Sequence, residues 1–228
     1  RELFDVAGWT SGHDDLIPRG NGVVRVPEKI YAYWERSRPR RGLWSWEASA
    51  RAAGEGLEGA RGTGLELEVE PTLHFNDSLS LEFGLGIEHL PDWLLWRGGN
   101  RLGSYRADLA SVSANLQWQI GRRQELRVKL ETIALDARLR QAWAVRADGE
   151  PIATATPPDI SDFSLANLGF QVRYRYELAP LSDLYIVYGR GGLDERNAGR
   201  SLSELLGDAS SLADSEQLLI KISYRFAN

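Results

Sequence analysis

Between Leu168 and Leu178 the side chains alternate without interruption. Leu168, Phe170, Val172, Tyr174, Tyr176 and Leu178 fall on one side of an extended chain, and Gly169, Gln171, Arg173, Arg175 and Glu177 on the other. Period two over this span predicts a β-strand with one apolar face. The same alternation recurs along the chain. Leu218, Ile220, Ile222, Tyr224 and Phe226 oppose Gln217, Lys221, Ser223 and Arg225, which predicts a closing strand. Val112, Ala114, Leu116, Trp118 and Ile120 oppose Ser111, Ser113, Asn115, Gln117 and Gln119, and Leu126, Val128 and Leu130 oppose Glu125, Arg127, Lys129 and Glu131. Leu65, Leu67, Val69, Leu73 and Phe75 keep phase with Leu79, Leu81, Phe83, Leu85 and Ile87 across Asn76-Asp77-Ser78, as the two arms of a hairpin must. Leu184–Tyr188, the Trp44–Ala52 segment, Ile30–Ser37 and Glu2–Trp9 bring the expected count to about ten strands.

The joins add direction. Ala179-Pro180-Leu181-Ser182 and Gly121-Arg122-Arg123 read as tight turns, since proline and glycine suit turns better than ladders. After Leu130 the apolar phase slips onto Ile133, Leu135 and Leu139, which predicts a bulge near Thr132. Short joins are expected after Ser37, Phe75, Ile120 and Leu178, and longer ones after Trp9, Ala53, Glu88, Leu139 and Tyr188. Short turns at one end and long loops at the other are the habit of outer-membrane barrels, whose strands need about nine to eleven residues to cross. The expected fold is therefore all-β, an antiparallel up-and-down transmembrane β-barrel in a single domain over residues 1–228. A soluble β-sandwich is the main alternative. Leu202, Leu205, Leu206 and Leu212 recur at helical spacing and predict a short helix in the last long loop, either folded into the lumen or lying at the surface.

Composition narrows the classes. The chain has 43% hydrophobic residues, with 8 Trp, 8 Tyr and 6 Phe, and a mean hydropathy of -0.35. That balance suits strands of which only half the positions face lipid. No apolar run is long enough for a membrane-spanning helix. A net charge of -5, without a basic run carrying interleaved aromatics, argues against nucleic acid as a partner. With no cysteine, thiolate chemistry and disulfides are absent. The chain starts at Arg1 and has no Met, and is expected to be the C-terminal part of a longer protein.

Several segments resemble domain-of-unknown-function family 5916, whose members join a carbohydrate-binding module family 9-like domain to a C-terminal outer-membrane β-barrel. They are Asp14-Asp15-Leu16, Arg19-Gly20, Val23–Pro27, Arg123–Leu130 and, most closely, Leu168–Tyr188 with its Leu181-Ser182-Asp183-Leu184-Tyr185-Ile186-Val187-Tyr188 stretch. The resemblance implies location in the bacterial outer membrane, insertion by the barrel-assembly machinery through the C-terminal strand, and a barrel of which this chain is one part. It brings no established reaction, cofactor or catalytic residue.

The candidate functional residues are the charges on the polar side of the strands, which sort by sign. Glu66, Glu68, Glu70 and Glu82, with Glu88, lie in the hairpin of residues 64–88, and Arg127, Lys129, Arg173, Arg175, Lys221 and Arg225 dominate the later strands. Across a water-filled lumen such walls would impose a transverse field favouring polar or zwitterionic solutes. Interlocking as salt bridges is the competing expectation. Most of the tryptophans are expected in an interfacial girdle, with Trp93 and Trp96, beside Pro91 and Asp92 in a long loop, as candidates for stacking on a sugar ring. His13, Asp14 and Asp15 lack the spacing of a calcium loop, so no metal site is expected. No Gly-x-Ser-x-Gly occurs, and no catalytic residues are assigned; a Ser or Asp within hydrogen-bond reach of His74 or His89 would mark a hydrolase. The expected function is passage or capture of polar solutes, with carbohydrate implied only by the family's other domain, and anchorage of a binding domain as the alternative.

Overall fold

The computed structural model describes residues 1–196 and 199–226. In chain order it contains β1 (Glu2–Trp9), β2 (Gly12–Asp14), β3 (Val24–Val26), β4 (Lys29–Arg41), β5 (Trp44–Glu55), β6 (Gly59–His74), β7 (Leu79–Trp96), β8 (Arg101–Ile120) and β9 (Gln124–Val145). There follow β10 (Pro151–Thr154), β11 (Phe163–Ala179), β12 (Ser182–Arg196), the helix α1 (Leu202–Ala209) and β13 (Ser215–Ser223). The protein is all-β apart from α1. One antiparallel sheet runs β1-β4-β5-β6-β7-β8-β9-β11-β12-β13, with β10 added to the loop end of β9, and β2 and β3 form a separate hairpin.

Register turns the sequence alternation into two opposed surfaces. Trp44, Leu73, Leu81, Leu116, Val128, Val172, Tyr188 and Leu218 are successive cross-strand partners from β5 to β13. Ser45, Thr72, Glu82, Asn115, Lys129, Gln171, Gly189 and Gln217 form the adjacent row, on the other side of the pleat. Because partners share a face, the sheet has one apolar face and one polar face over this whole width. The apolar face is uncovered: Leu85, Ile87 (58% exposed), Ile220 and Ile222 all lie open. The second sheet, the β2–β3 hairpin, packs only at the loop end, where Val24 meets Leu102 and Val145, and does not span the face as a β-sandwich would require.

The expected closed ring is not formed. Among the described residues β1 pairs only with β4 and β13 only with β12, so the sheet has two free edges. Several connections also differ from expectation. The joins at residues 42–43, 75–78, 121–123 and 180–181 make a turn end, and β4 continues past Ser37 to Arg41 before its turn. At the opposite, loop end, residues 10–28, 146–162 and 197–214 are long, but the joins expected to be long after Ala53 and Glu88 are only residues 56–58 and 97–100. The central strands simply run further toward the loop end, to 18 residues in β7, 20 in β8 and 22 in β9.

Those extra lengths explain the phase slip. Thr132 is not bulged, since it pairs regularly with Leu168 and with Val112. Instead, the two faces exchange character at one level of the sheet. Above it, Leu109, Leu135 and Leu165, then Tyr105, Ala107, Ala137, Leu139 and Phe163, fill the previously polar face, where Ile160 from the 146–162 connection covers them. On the previously apolar face, the row His89, Asp108, Asp136 and Ser164 is polar. The true bulges lie higher, at Pro91–Asp92 in β7 and at Arg140 in β9. α1 forms where expected but does not enter the polar side: Leu205 and Ala209 pack on Ala134 and Ala166 of the apolar face. The last strand ends at Ser223, so Tyr224, Arg225 and Phe226 lie beyond it.

Candidate functional site

The polar face is the candidate site, and strand register places its charges. Glu66, Glu68, Glu70, Glu82, Arg127, Lys129, Arg173, Arg175 and Lys221 all lie on it. Arg225 does not, because it follows the end of β13; its backbone N–H donates to Ser182 Oγ at 3.0 Å. Sorting by sign holds less strictly than the spacing implies. Arg51 sits within the acidic wall and bridges Glu66 at 2.6 Å and Glu88 at 3.0 Å, two carboxylates that face each other across β6 and β7. In the basic wall Arg127 pairs with Glu125, Lys129 with Glu131 at 2.7 Å and Arg175 with Asp183 at 2.9 Å. Each charge that pairs lowers the cost of facing its like neighbours.

Hollows remain on this face, among them two between the strands. One, of about 400 Å³, is lined by Ser45, Glu47, Glu70, Thr72 and Glu82 with Ser37 and Arg38 at its edge. Here Glu47 and Glu70 are direct cross-strand partners, and the lining is acceptor-rich. The other, of about 420 Å³, has Lys129, Glu131, Gln171 and Gln217 around a floor of Gly169, Gly189 and Gly191. Glycine there removes side-chain bulk and leaves room between donors and acceptors of both kinds. Such surfaces suit polar, hydroxylated or zwitterionic solutes.

At the loop end the same face is sealed. Tyr105 is fully buried, its ring edge-on to Phe163 at 5.4 Å, and its hydroxyl accepts from Arg97 Nε at 2.9 Å and Nη2 at 2.6 Å. Arg101 donates to Asp159 at 3.0 Å and ties the overlying connection to β8, which holds the exposed Asp159 carboxyl below its ordinary range. Both Trp93 and Trp96 lie within β7 and not in a loop, Trp93 in this packing and Trp96 in a separate cluster on the other side of the sheet. Trp93 lies 6.3 Å from Phe163, and Trp96 packs near Leu102 and Val145 with its Nε1 donating to Gly99 O at 2.9 Å. Pro91 and Asp92 gave the misleading loop signal; they form the bulge of β7.

The histidines are better partnered than the sequence indicated. His74 Nε2 lies 2.8 Å from Ser45 Oγ on the polar face, and His89 Nδ1 lies 2.6 Å from Asp108 Oδ1 on the opposite one. A hydrolase needs serine, imidazole and carboxylate in one chain of contacts. Both contacts expected of a hydrolase are therefore present, Ser45 at His74 and Asp108 at His89, although among the described residues His74 has no carboxylate partner and His89 no hydroxyl partner. Knowing the register would have revealed both, since His89 is directly opposite Asp108. Asp14 is used locally, accepting from the N–H groups of Leu16 at 2.8 Å and Ile17 at 3.0 Å, and no group of three or more acidic or histidine side chains fit for a metal occurs among the described residues. No known protein-family model, curated protein or solved structure matches this chain.

Proposed function

We infer that this sheet is wall of an outer-membrane β-barrel, with the apolar face against lipid and the polar face toward the interior, and that it passes or captures polar solutes. One observation carries the reading: an apolar face, open except where α1 lies on Ala134 and Ala166, continuous across eight successive strands from β5 to β13 and backed by an equally continuous polar row. In water such a face would drive association; in a bilayer it is the expected surface. The two free edges fit the same reading. Unpaired backbone groups are not tolerated against lipid, so β1 and β13 must be paired in the membrane, by each other or by further strands. The resemblance to domain-of-unknown-function family 5916 belongs to this proposal, as do insertion by the barrel-assembly machinery and an association with carbohydrate.

Anchorage is the second reading, and the apolar packing around Tyr105 favours it, because it fills the polar side of β7, β8, β9 and β11 at the loop end. Single-channel conductance in planar bilayers separates the two. Discrete steps from the native protein support passage. Silence from a folded protein, with steps appearing in Tyr105→Ala, supports a sealed barrel that captures or anchors; silence in both, at low and high salt, removes passage altogether.

A further inference from the structure

The two free edges of the sheet carry a more specific inference, which rests on the membrane reading above. On one side, Arg1 and Ser37 exchange both backbone hydrogen bonds, at 2.9 and 3.0 Å, so the odd-numbered residues of β1 bond to β4. Glu2, Phe4, Val6 and Gly8 therefore turn their N–H and C=O groups to the open edge. On the other side, the Glu177 N–H donates to Arg123 O at 2.8 Å, so odd residues of β11 bond to β9 and even ones to β12. Carried through the register, odd residues of β12 then bond to β13, in pairs such as Tyr185 with Lys221, which leaves the backbone groups of Leu218, Ile220 and Ile222 unpaired. Both edges thus present free backbone groups at residues whose side chains lie on the apolar face.

The edges are also offset as a ring requires. Cross-strand partners run level from Glu2 through Val69 of β6 and Thr132 of β9 to Gly192 of β12. Beside Gly192, Gly191 pairs with Ser215, the first residue of β13, so Glu2 is level with Asp214. From this level β1 rises to the loop end and β13 descends to the turn end, and on the flat ladder the two edges do not overlap. Closing a barrel tilts its strands, and the last strand then meets the first displaced along its length. Displacement in the opposite sense would carry β13 away from β1. A stagger of ten residues, over the ten strands of the sheet, brings Tyr224 beside Glu2. That ratio is the one in an eight-stranded ring with a stagger of eight, whose strands tilt by about 36°, within the range of about 35–45° usual for barrels.

We propose that β1 pairs with β13 of the same chain, antiparallel, in the register that sets Asp5 opposite Lys221. Both side chains point to the polar face, Asp5 in the row of Tyr33 and Arg51 and Lys221 in the row of Tyr185 and Arg175. Among the described residues neither makes an ion pair or a side-chain hydrogen bond. The same register sets Phe4 against Ile222 and Val6 against Ile220 on the lipid side, and Ala7 against Leu219 inside. A slip of one residue would turn Phe4 and Val6 against the polar row. A slip of two, in either direction, parts the charges and leaves Lys221 facing Leu3 or Ala7. Each edge supplies the backbone partners that lipid cannot.

Because the chain has no cysteine, paired cysteines test the register. Ala7 and Leu219 would form a non-hydrogen-bonded pair with Cα atoms about 4.5 Å apart, within disulfide reach. Gln217 and Lys221 would lie diagonal to Ala7 at about 7–8 Å, at or beyond the limit. Oxidation of the purified chain in the presence of phospholipid vesicles should link Ala7→Cys to Leu219→Cys within one chain, seen as faster migration of the denatured monomer on a non-reducing gel. Ala7→Cys with Gln217→Cys, or with Lys221→Cys, should stay mostly unlinked. Links between chains would make a second copy the partner; no link in a chain that floats with the vesicles would make it a further strand; stronger linking at Gln217 or Lys221 would set another register. Each of these overturns the proposal. Linking at Leu219 in a chain that does not float sinks the membrane reading and spares the closure. Should the cysteines prevent folding, Asp5→Lys and Lys221→Asp decide. Each alone should lower the denaturant midpoint and the two together should restore most of it, whereas additive losses would refute the pairing.

Discussion

Val172 lies midway along the apolar part of β11, between Val128 on β9 and Tyr188 on β12, and neighbouring Gln171 points to the polar face between Lys129 and Gly189. Placing arginine at each position asks the same side chain to enter two different media. On the proposed membrane reading, at Val172 it must leave water for the middle of the bilayer, and both flanking partners are uncharged, so nothing offsets the transfer. A cost of about 2–4 kcal/mol is expected for a cation at mid-membrane depth on a barrel's lipid face. At Gln171 the guanidinium stays in the polar interior, and the opposing term is repulsion from Lys129, worth less than about 1 kcal/mol for a direct cross-strand pair. Denaturant unfolding in lipid vesicles, with both variants extrapolated on a common slope, measures the difference. Val172→Arg is expected to be the more damaging by about 1–4 kcal/mol, the difference between those two figures. Equal losses, or a larger one at Gln171, would refute the assignment of faces.

Two further outcomes test the structure outside the membrane. Asp92 is 3% exposed and its Oδ2 accepts the N–H groups of Leu57 at 2.8 Å and Glu58 at 3.1 Å. Asp92→Ala should therefore cost about 1–3 kcal/mol for the orphaned donors, read by denaturant unfolding, and a change below a few tenths would show that the turn does not depend on it. The Glu204 carboxylate accepts from both the N–H and the hydroxyl of Ser201 in the capping box of α1, which holds its pKa below the ordinary glutamate value. The folded state thus gains stability from the ionised form; that gain is present above the unfolded-state pKa and is lost as pH falls through the depressed one. Hydrogen exchange of the α1 amides, corrected for intrinsic rates, should show protection falling with acidification, and pH-independent protection would contradict the cap.

Much of this architecture was legible in the sequence where one face alone is wet. Leu168–Leu178, the Asn76-Asp77-Ser78 hairpin and the Ala179–Ser182 turn stand where alternation put them, because a one-residue slip would have turned every apolar side chain to the wrong face. The loop-end halves of β7, β8 and β9 were hidden by the exchange of faces. There Leu135 and Ala137 pack inward while Asp136 and Arg138 point out, so a continuous strand looked like a bulge followed by a loop. Pro91 reinforced the error, although proline is tolerated in strands at bulges such as this one. The site residues on the strands were readable from parity alone. Their pairing was not, since Arg51 between Glu66 and Glu88, or His89 against Asp108, depends on register between strands.

The central claim is that one face of this sheet meets lipid and the other water. Because the chain has no cysteine, single cysteines carrying a nitroxide can be placed one at a time from residue 168 to residue 178 in the protein reconstituted into bilayers. Accessibility to oxygen, which concentrates in lipid, and to a water-soluble nickel chelate should alternate with period two and opposite phase, oxygen being highest at Val172 and Tyr174 and the chelate at Gln171 and Arg173. Access of the chelate to both sets, or the absence of alternation, would contradict the account.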